Sequence, residues 1–204
     1  GVEGTCRSAR CGDCLAETTS LSLMFGQKIS TFGFFHGIDA AFPNLQRLVI
    51  NGTGHSRSTG VPYLAPISRL RSLRMLDLWM VSATNGEEGQ VEVLGLLTGL
   101  THLYILGLQH ILVSELKKLL EPLKKLEVLY VTTGAVELRH RGGLLNLSGH
   151  TALKQLCLEG GTWLPPGAEA GSRTLELPTQ VHDVAVVKSG KGWGPPRDGL
   201  CGSN

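Results

Sequence analysis

Apolar residues return along this chain in a fixed frame, apolar-x-x-Leu-x-x-Leu-x-apolar, at Phe42-Leu45-Leu48-Ile50, Leu70-Leu73-Leu76-Leu78, Leu97-Leu100-Leu103-Ile105, Leu123-Leu126-Leu129-Val131 and His150-Leu153-Leu156-Leu158. Only the last copy begins with a polar residue. The third frame position falls at 48, 76, 103, 129 and 156, giving spacings of 28, 27, 26 and 27 residues, a register that unrelated leucines would not keep. Leu21 and Leu23 lie 27 residues before Leu48 and Ile50 and read as a sixth copy. Downstream the beat is expected to fail, because Leu175-x-Leu177 follows Leu156 by 19 residues and Val184-x-Val186 comes nine residues later.

Leu-x-Leu alternation turns both leucines to one face of a short strand and the residue between them to the other. Each copy therefore predicts one strand of a parallel sheet, and the chain must cross back over that sheet before the next strand begins. The return leg is clearest at Val113-Ser-Glu-Leu-Lys-Lys-Leu-Leu-Glu-Pro-Leu123. There Ser114 is placed to cap a helix, Leu116, Leu119 and Leu120 share one face, and Pro122 ends it. Residues 63–70 and 91–97 read as short helices or single turns, although Pro66 would break the first if it lay inside. No unit buries its apolar face alone, so stacking must supply the core.

These frames resemble leucine-rich repeats, whose core is L-x-x-L-x-L-x-x-N/C-x-L. The resemblance covers about residues 18 to 161, and Arg71-Ser72-Leu73-Arg74-Met75-Leu76-Asp77-Leu78 and Thr98-Gly99-Leu100-Thr101-His102-Leu103-Tyr104-Ile105 are similar to strand starts of intracellular eukaryotic examples. It implies an α/β fold: a solenoid with a curved parallel sheet and short helices or turns on the convex side. It also implies a non-enzymatic module that binds a protein partner through the concave face. The chain departs from the pattern at the Asn/Cys position, which is Thr53, Val81, Leu108, Gly134 and Gly161 in the five clear copies. That side chain satisfies backbone groups in the turn, so irregular turns are expected here.

Four segments follow: residues 1–17, carrying three cysteines; 18–161, an array of about six repeats; 162–187, degenerate repeats or a C-terminal cap; and 188–204, a tail whose Gly and Pro content predicts disorder. Composition agrees with a stacked array, since 42% of the 204 residues are apolar while aromatics make up only 5%, so leucine is reused throughout. A net charge of +2 from dispersed Lys and Arg gives no basic patch to engage nucleic acid. The Leu-rich stretch from Leu94 to Leu129 is interrupted by His102, Glu115, Lys117, Lys118, Glu121, Lys124 and Lys125, which excludes a transmembrane helix there. The chain begins at Gly1 without a basic and then apolar leader, as expected of a fragment or a processed form.

Cys6-x4-Cys11-x2-Cys14 places three soft ligands within nine residues, a spacing compatible with zinc, but no second close pair follows and the metal reading is the minor one. Five cysteines cannot all pair, so reduced thiols and a cytoplasmic location are expected; disulfides in an extracellular or cell-surface recognition protein are the alternative. None of the seven histidines stands in a nucleophile motif; His102 reads as a surface contact and His150 as a substitution at the core boundary. Gly190-Lys191-Gly192-Trp193-Gly194 lacks the full phosphate-loop string and reads as linker. No enzyme activity and no cofactor are expected.

The register also names the residues that project from the concave sheet. One column runs Ser20, Arg47, Met75, His102, Val128, Gln155; the next Ser22, Val49, Asp77, Tyr104, Tyr130, Cys157; the third Met24, Asn51, Trp79, Leu106, Thr132, Glu159. The middle copies gather Met75, Trp79, Tyr104, Leu106, Val128 and Tyr130 as an exposed apolar and aromatic cluster, rimmed by Arg47, Asp77, His102 and Glu159. Such a centre and rim is the anatomy of a protein-binding hot spot.

Overall fold

Because each Leu-x-Leu pair needs a dry face, the strands line up so that these pairs fall beside one another. In a computed structural model, which describes residues 15–25, 35–52, 64–79, 92–108, 113–133, 145–159, 175–176, 178–179, 181 and 183–187, nine strands appear. They are β1 (Ser20–Phe25), β2 (Arg47–Gly52), β3 (Met75–Trp79), β4 (His102–Leu108), β5 (Val128–Thr133), β6 (Leu145–Asn146), β7 (Gln155–Glu159), β8 (Leu175–Glu176) and β9 (Asp183–Val187). Seven form one sheet in the order β1-β2-β3-β4-β5-β7-β9, every pairing parallel. The row Leu21, Leu48, Leu76, Leu103, Leu129, Leu156, Val184 runs straight across it.

The expectation that the beat fails after Leu156 is thereby corrected. Val184 and Val186 pair with Leu156 and Leu158, and Val184 lies 28 residues after Leu156. Leu175 pairs instead with Leu145 in a separate two-stranded parallel piece, β6 with β8. The tail 188–204 and four of the five Asn/Cys-type positions lie outside the described residues; the fifth, Leu108, ends β4.

Crossing segments cover one face of the sheet. Helix α1 (Ile38–Ala41) is entered from Gly37, whose φ of 77° is a left-handed conformation open to glycine at little cost. Two 3₁₀ turns follow, Ala65–Arg69 and Glu92–Leu96, and then helix α2 (Val113–Leu120). Pro66 lies in the first turn of its 3₁₀ segment, where its missing N–H costs nothing, so it does not break the element. Helix α2 starts one residue before the expected cap, with Ser114 inside it, and ends at Leu120, ahead of Pro122. These elements touch in sequence, and at Gly95 an added Cβ would lie 3.0 Å from the Leu119 carbonyl oxygen and from Pro122 Cγ, so a side chain there would push the crossing segments apart.

Ile38, Ile67, Leu94, Leu116, Leu119 and Leu120 from the crossing segments and Leu48, Leu76, Leu103, Leu129 and Leu156 from the strands belong to one buried core. At about 1.5–3 kcal/mol for each fully buried aliphatic side chain, this shared interior is the main source of stability. The approach to each strand is equally regular. Two successive N–H groups converge on one carbonyl of the preceding unit at 2.8–3.0 Å: those of Gln46 and Arg47 on Thr19, Arg74 and Met75 on Gln46, Thr101 and His102 on Arg74, Glu127 and Val128 on Thr101, and Lys154 and Gln155 on Glu127. Backbone thus satisfies backbone at the starts of β2, β3, β4, β5 and β7, with the Thr101 hydroxyl adding a third donor to the Arg74 carbonyl at 3.0 Å.

His150, which replaces the frame leucine, is buried, and its Nε2–H donates to the carbonyl of Leu120 at 2.8 Å. That carbonyl, on the last residue of α2, also accepts the Leu123 N–H at 2.9 Å, so the imidazole is its second donor. The imidazole supplies what a leucine could not.

Candidate binding face on the outer side of the sheet

The face of the sheet turned away from the crossing segments carries the alternate residues of every strand, and on β3 the alternation is regular: Met75, Asp77 and Trp79 half-buried, Leu76 and Leu78 buried. Parallel pairing without a slip from β2 to β4 sets Val49, Asp77 and Tyr104 side by side, and Tyr130 next to Tyr104. Arg47, Met75, His102 and Val128 form the row before them. The register thus brings Met75, Asp77, Trp79, Tyr104, Val128 and Tyr130 together, with Arg47 exposed and His102 half-buried beside them.

The two tyrosine rings stack, with centroids 6.4 Å apart and planes inclined by 30°. His102 Nδ1 lies 2.9 Å from Thr101 Oγ1; the hydrogen bond and charge of Lys154, at 2.6 Å, lower the carboxyl of nearby Glu127, with His102 adding the least.

Asp77, expected on the polar rim, keeps its column but is half-buried. It stands in the row of the tyrosines, and burial raises its carboxyl to about 6 against the opposing effects of a hydrogen bond from the Trp79 indole and the nearby charge of Arg47. One oxygen, Oδ1, is shut off from solvent without a hydrogen-bond partner among the described residues. Tyr104 is pushed up in turn, first by burial and then by the Asp77 charge. The signal for a central Asp77 was present in the sequence, because it shares its column with Tyr104 and Tyr130 and precedes Trp79 by two residues on the same face.

Leu106 was expected to be exposed and is not: it retains 7% of its surface. Thr132 and Cys157, also read as projecting, are buried to a similar degree, and none of the three belongs to the interior leucine cluster. The available face therefore ends short of Leu106. Cys157 is disulfide-bonded, which corrects the expectation of reduced thiols for this residue; its partner cysteine is outside the described residues. Cys6, Cys11 and Cys14, the minor zinc candidates, also lie outside them, as does the side chain of Glu159. No group of three metal-ligating side chains occurs among the described residues, and no described helix is long and apolar enough to cross a membrane.

No protein-family model matches the chain, and no curated protein matches it significantly.

Proposed function

We propose that this chain is a leucine-rich-repeat solenoid acting as a non-enzymatic protein-binding module, with the outer sheet face as its concave recognition surface. The observation that carries the proposal is the stacked pair Tyr104 and Tyr130 beside half-buried Asp77 and Trp79, on a face that the crossing segments leave uncovered. Rigid aromatic groups on adjoining strands lose little side-chain entropy on contact and supply large contact area, as hot spots require. A carboxyl titrating near neutrality also suits a general acid or base. The groups around this one are Arg47, Trp79 and Tyr104, which make a polar anchor in an aromatic surface rather than a nucleophile with its base.

The test is affinity purification with the wild-type chain and the Tyr104→Ala/Tyr130→Ala variant in parallel. Proteins retained by the first and lost by the second, with cooperative unfolding preserved, support the face; equal retention sinks it.

A second reading is favoured by the bond at Cys157: an extracellular or cell-surface recognition protein, since disulfides persist in oxidising compartments. The cytoplasmic expectation rested on reduced thiols and loses that support. Counting thiols in the denatured, unreduced protein decides between them: five free thiols favour the cytoplasm, three or fewer the oxidising compartment.

A further inference from the structure

Resting on that reading, we propose that the Asp77 carboxylate, with the rings of Trp79 and Tyr104 around it, receives an arginine side chain presented by the protein partner. The geometry leaves a specific vacancy in the hydrogen bonding. Asp77 Oδ1 is buried without a hydrogen-bond partner among the described residues, while the Trp79 indole N–H is hydrogen-bonded to the same carboxylate. An acceptor left unmade in this way is costly and calls for a donor. Arg47 acts on the carboxylate through space but forms no ion pair with it, the ion pairs among the described residues being Lys118 with Glu92 and Lys154 with Glu127.

Charge and shape select the occupant. A guanidinium can donate in its plane to a carboxylate oxygen while its flat face lies on an aromatic ring, and Tyr104 and Tyr130 offer a stacked ring pair next to Asp77. Asp77 as a whole is only half-buried, and the soft terminal torsion of its carboxyl lets Oδ1 turn toward an arriving donor. The described charged or titratable groups facing it from the flanking strands are Arg47 on β2 and Tyr104 on β4. A bound cation favours the ionised carboxylate, so affinity should rise with pH and level off above neutrality.

The probe is a blocked Ala-Arg-Ala tripeptide titrated into the intact chain, with the citrulline peptide, equal in shape but uncharged, as control. The Trp79 indole N–H resonance serves as the reporter. A saturable shift with a dissociation constant on the order of millimolar is expected for the arginine peptide alone. It should weaken about tenfold or more in Asp77→Asn, whose thermal unfolding must remain cooperative, and should tighten in Arg47→Ala, which removes a competing cation. Equal shifts with citrulline, or an unchanged response in Asp77→Asn, overturn the proposal. Binding seen only in Arg47→Ala also overturns it, by assigning the carboxylate to Arg47. Partner proteins that are lost from the double tyrosine variant but kept by Asp77→Asn leave the recognition face standing and remove only the arginine.

Discussion

The imidazole of His150 donates from Nε2 to the carbonyl of Leu120 at 2.8 Å, tying the start of one frame to the end of the helix before it. Truncating this buried side chain removes the donor and leaves a void. His150→Ala should destabilise by about 2–4 kcal/mol, combining the lost hydrogen bond with a cavity, while the carbonyl keeps the Leu123 N–H. His150→Leu restores the frame residue and fills the volume but leaves the carbonyl with the Leu123 N–H alone, so about 0.5–1.5 kcal/mol should remain for the lost second bond. Denaturant melts of the two variants check the order; a leucine variant as stable as wild type would mean that the hydrogen bond adds nothing.

Leu103 and Leu129 are neighbours across β4 and β5 and are both fully enclosed. Leu103→Ala and Leu129→Ala should each cost about 2–5 kcal/mol, the usual range for emptying a packed leucine site. Tyr104→Ala and Tyr130→Ala, one residue further along on the opposite face, should each cost less, since the stacked pair itself contributes about 0.5–1.5 kcal/mol. Equilibrium unfolding of the four single variants reads the register directly. Tyrosine variants as damaged as the leucine ones would place the rings inside.

The period-2 and 27-residue patterns made the sheet legible because each strand's dry face is written in adjacent residues. Leu48, Leu76, Leu103, Leu129 and Leu156 therefore fell into one row, as did Asp77, Tyr104 and Tyr130 behind them. Position 184 departs from the expectation because leucine identity was followed instead of spacing, and valine is as well suited to a strand position in this register. The burial of Leu106 and Thr132 was illegible for another reason: a local period does not record irregular pairing between strands, and β4 shifts register against β5 between Ile105 and Leu108. The same limit hid the disulfide, since connectivity does not follow from spacing.

The 3₁₀ turn Glu92–Leu96 meets helix α2 with almost no clearance at Gly95. A methyl group there would sit 3.0 Å from a backbone oxygen of the helix and from the Pro122 ring, and neither can rotate aside. Gly95→Ala should therefore destabilise by about 1–3 kcal/mol, the typical cost of overpacking, even though alanine is the better helix former. Gly37→Ala tests a different cause, since nothing lies within 4 Å of its added methyl and only the φ of 77° is strained. It should cost about 1–2 kcal/mol, through backbone conformation alone. Thermal melts of both variants would contradict this account if Gly95→Ala were neutral.

Asp77 gives the protein a pH dependence of unusual sign for a carboxylate. Its carboxyl lies at about 6 in the folded chain and near 3.8 when exposed, so between these values the folded state holds the proton more tightly than the unfolded state. Stability from this group must then fall as pH rises from about 4 to about 6, and the full penalty persists above that range. The difference between 3.8 and about 6 sets a ceiling of about 3 kcal/mol, which partial contact with solvent reduces to about 1–2 kcal/mol. Asp77→Asn keeps an acceptor for the Trp79 indole and cannot ionise, so it should be more stable than wild type by that amount at pH 7 and about equal to it at pH 4. Glu127, lowered by Lys154, acts in the opposite direction, so the quantity to follow is the gap between the two proteins in denaturant melts at each pH. A gap that stays constant from pH 4 to pH 7 would show that the Asp77 carboxyl is no harder to ionise in the folded chain than in the unfolded one.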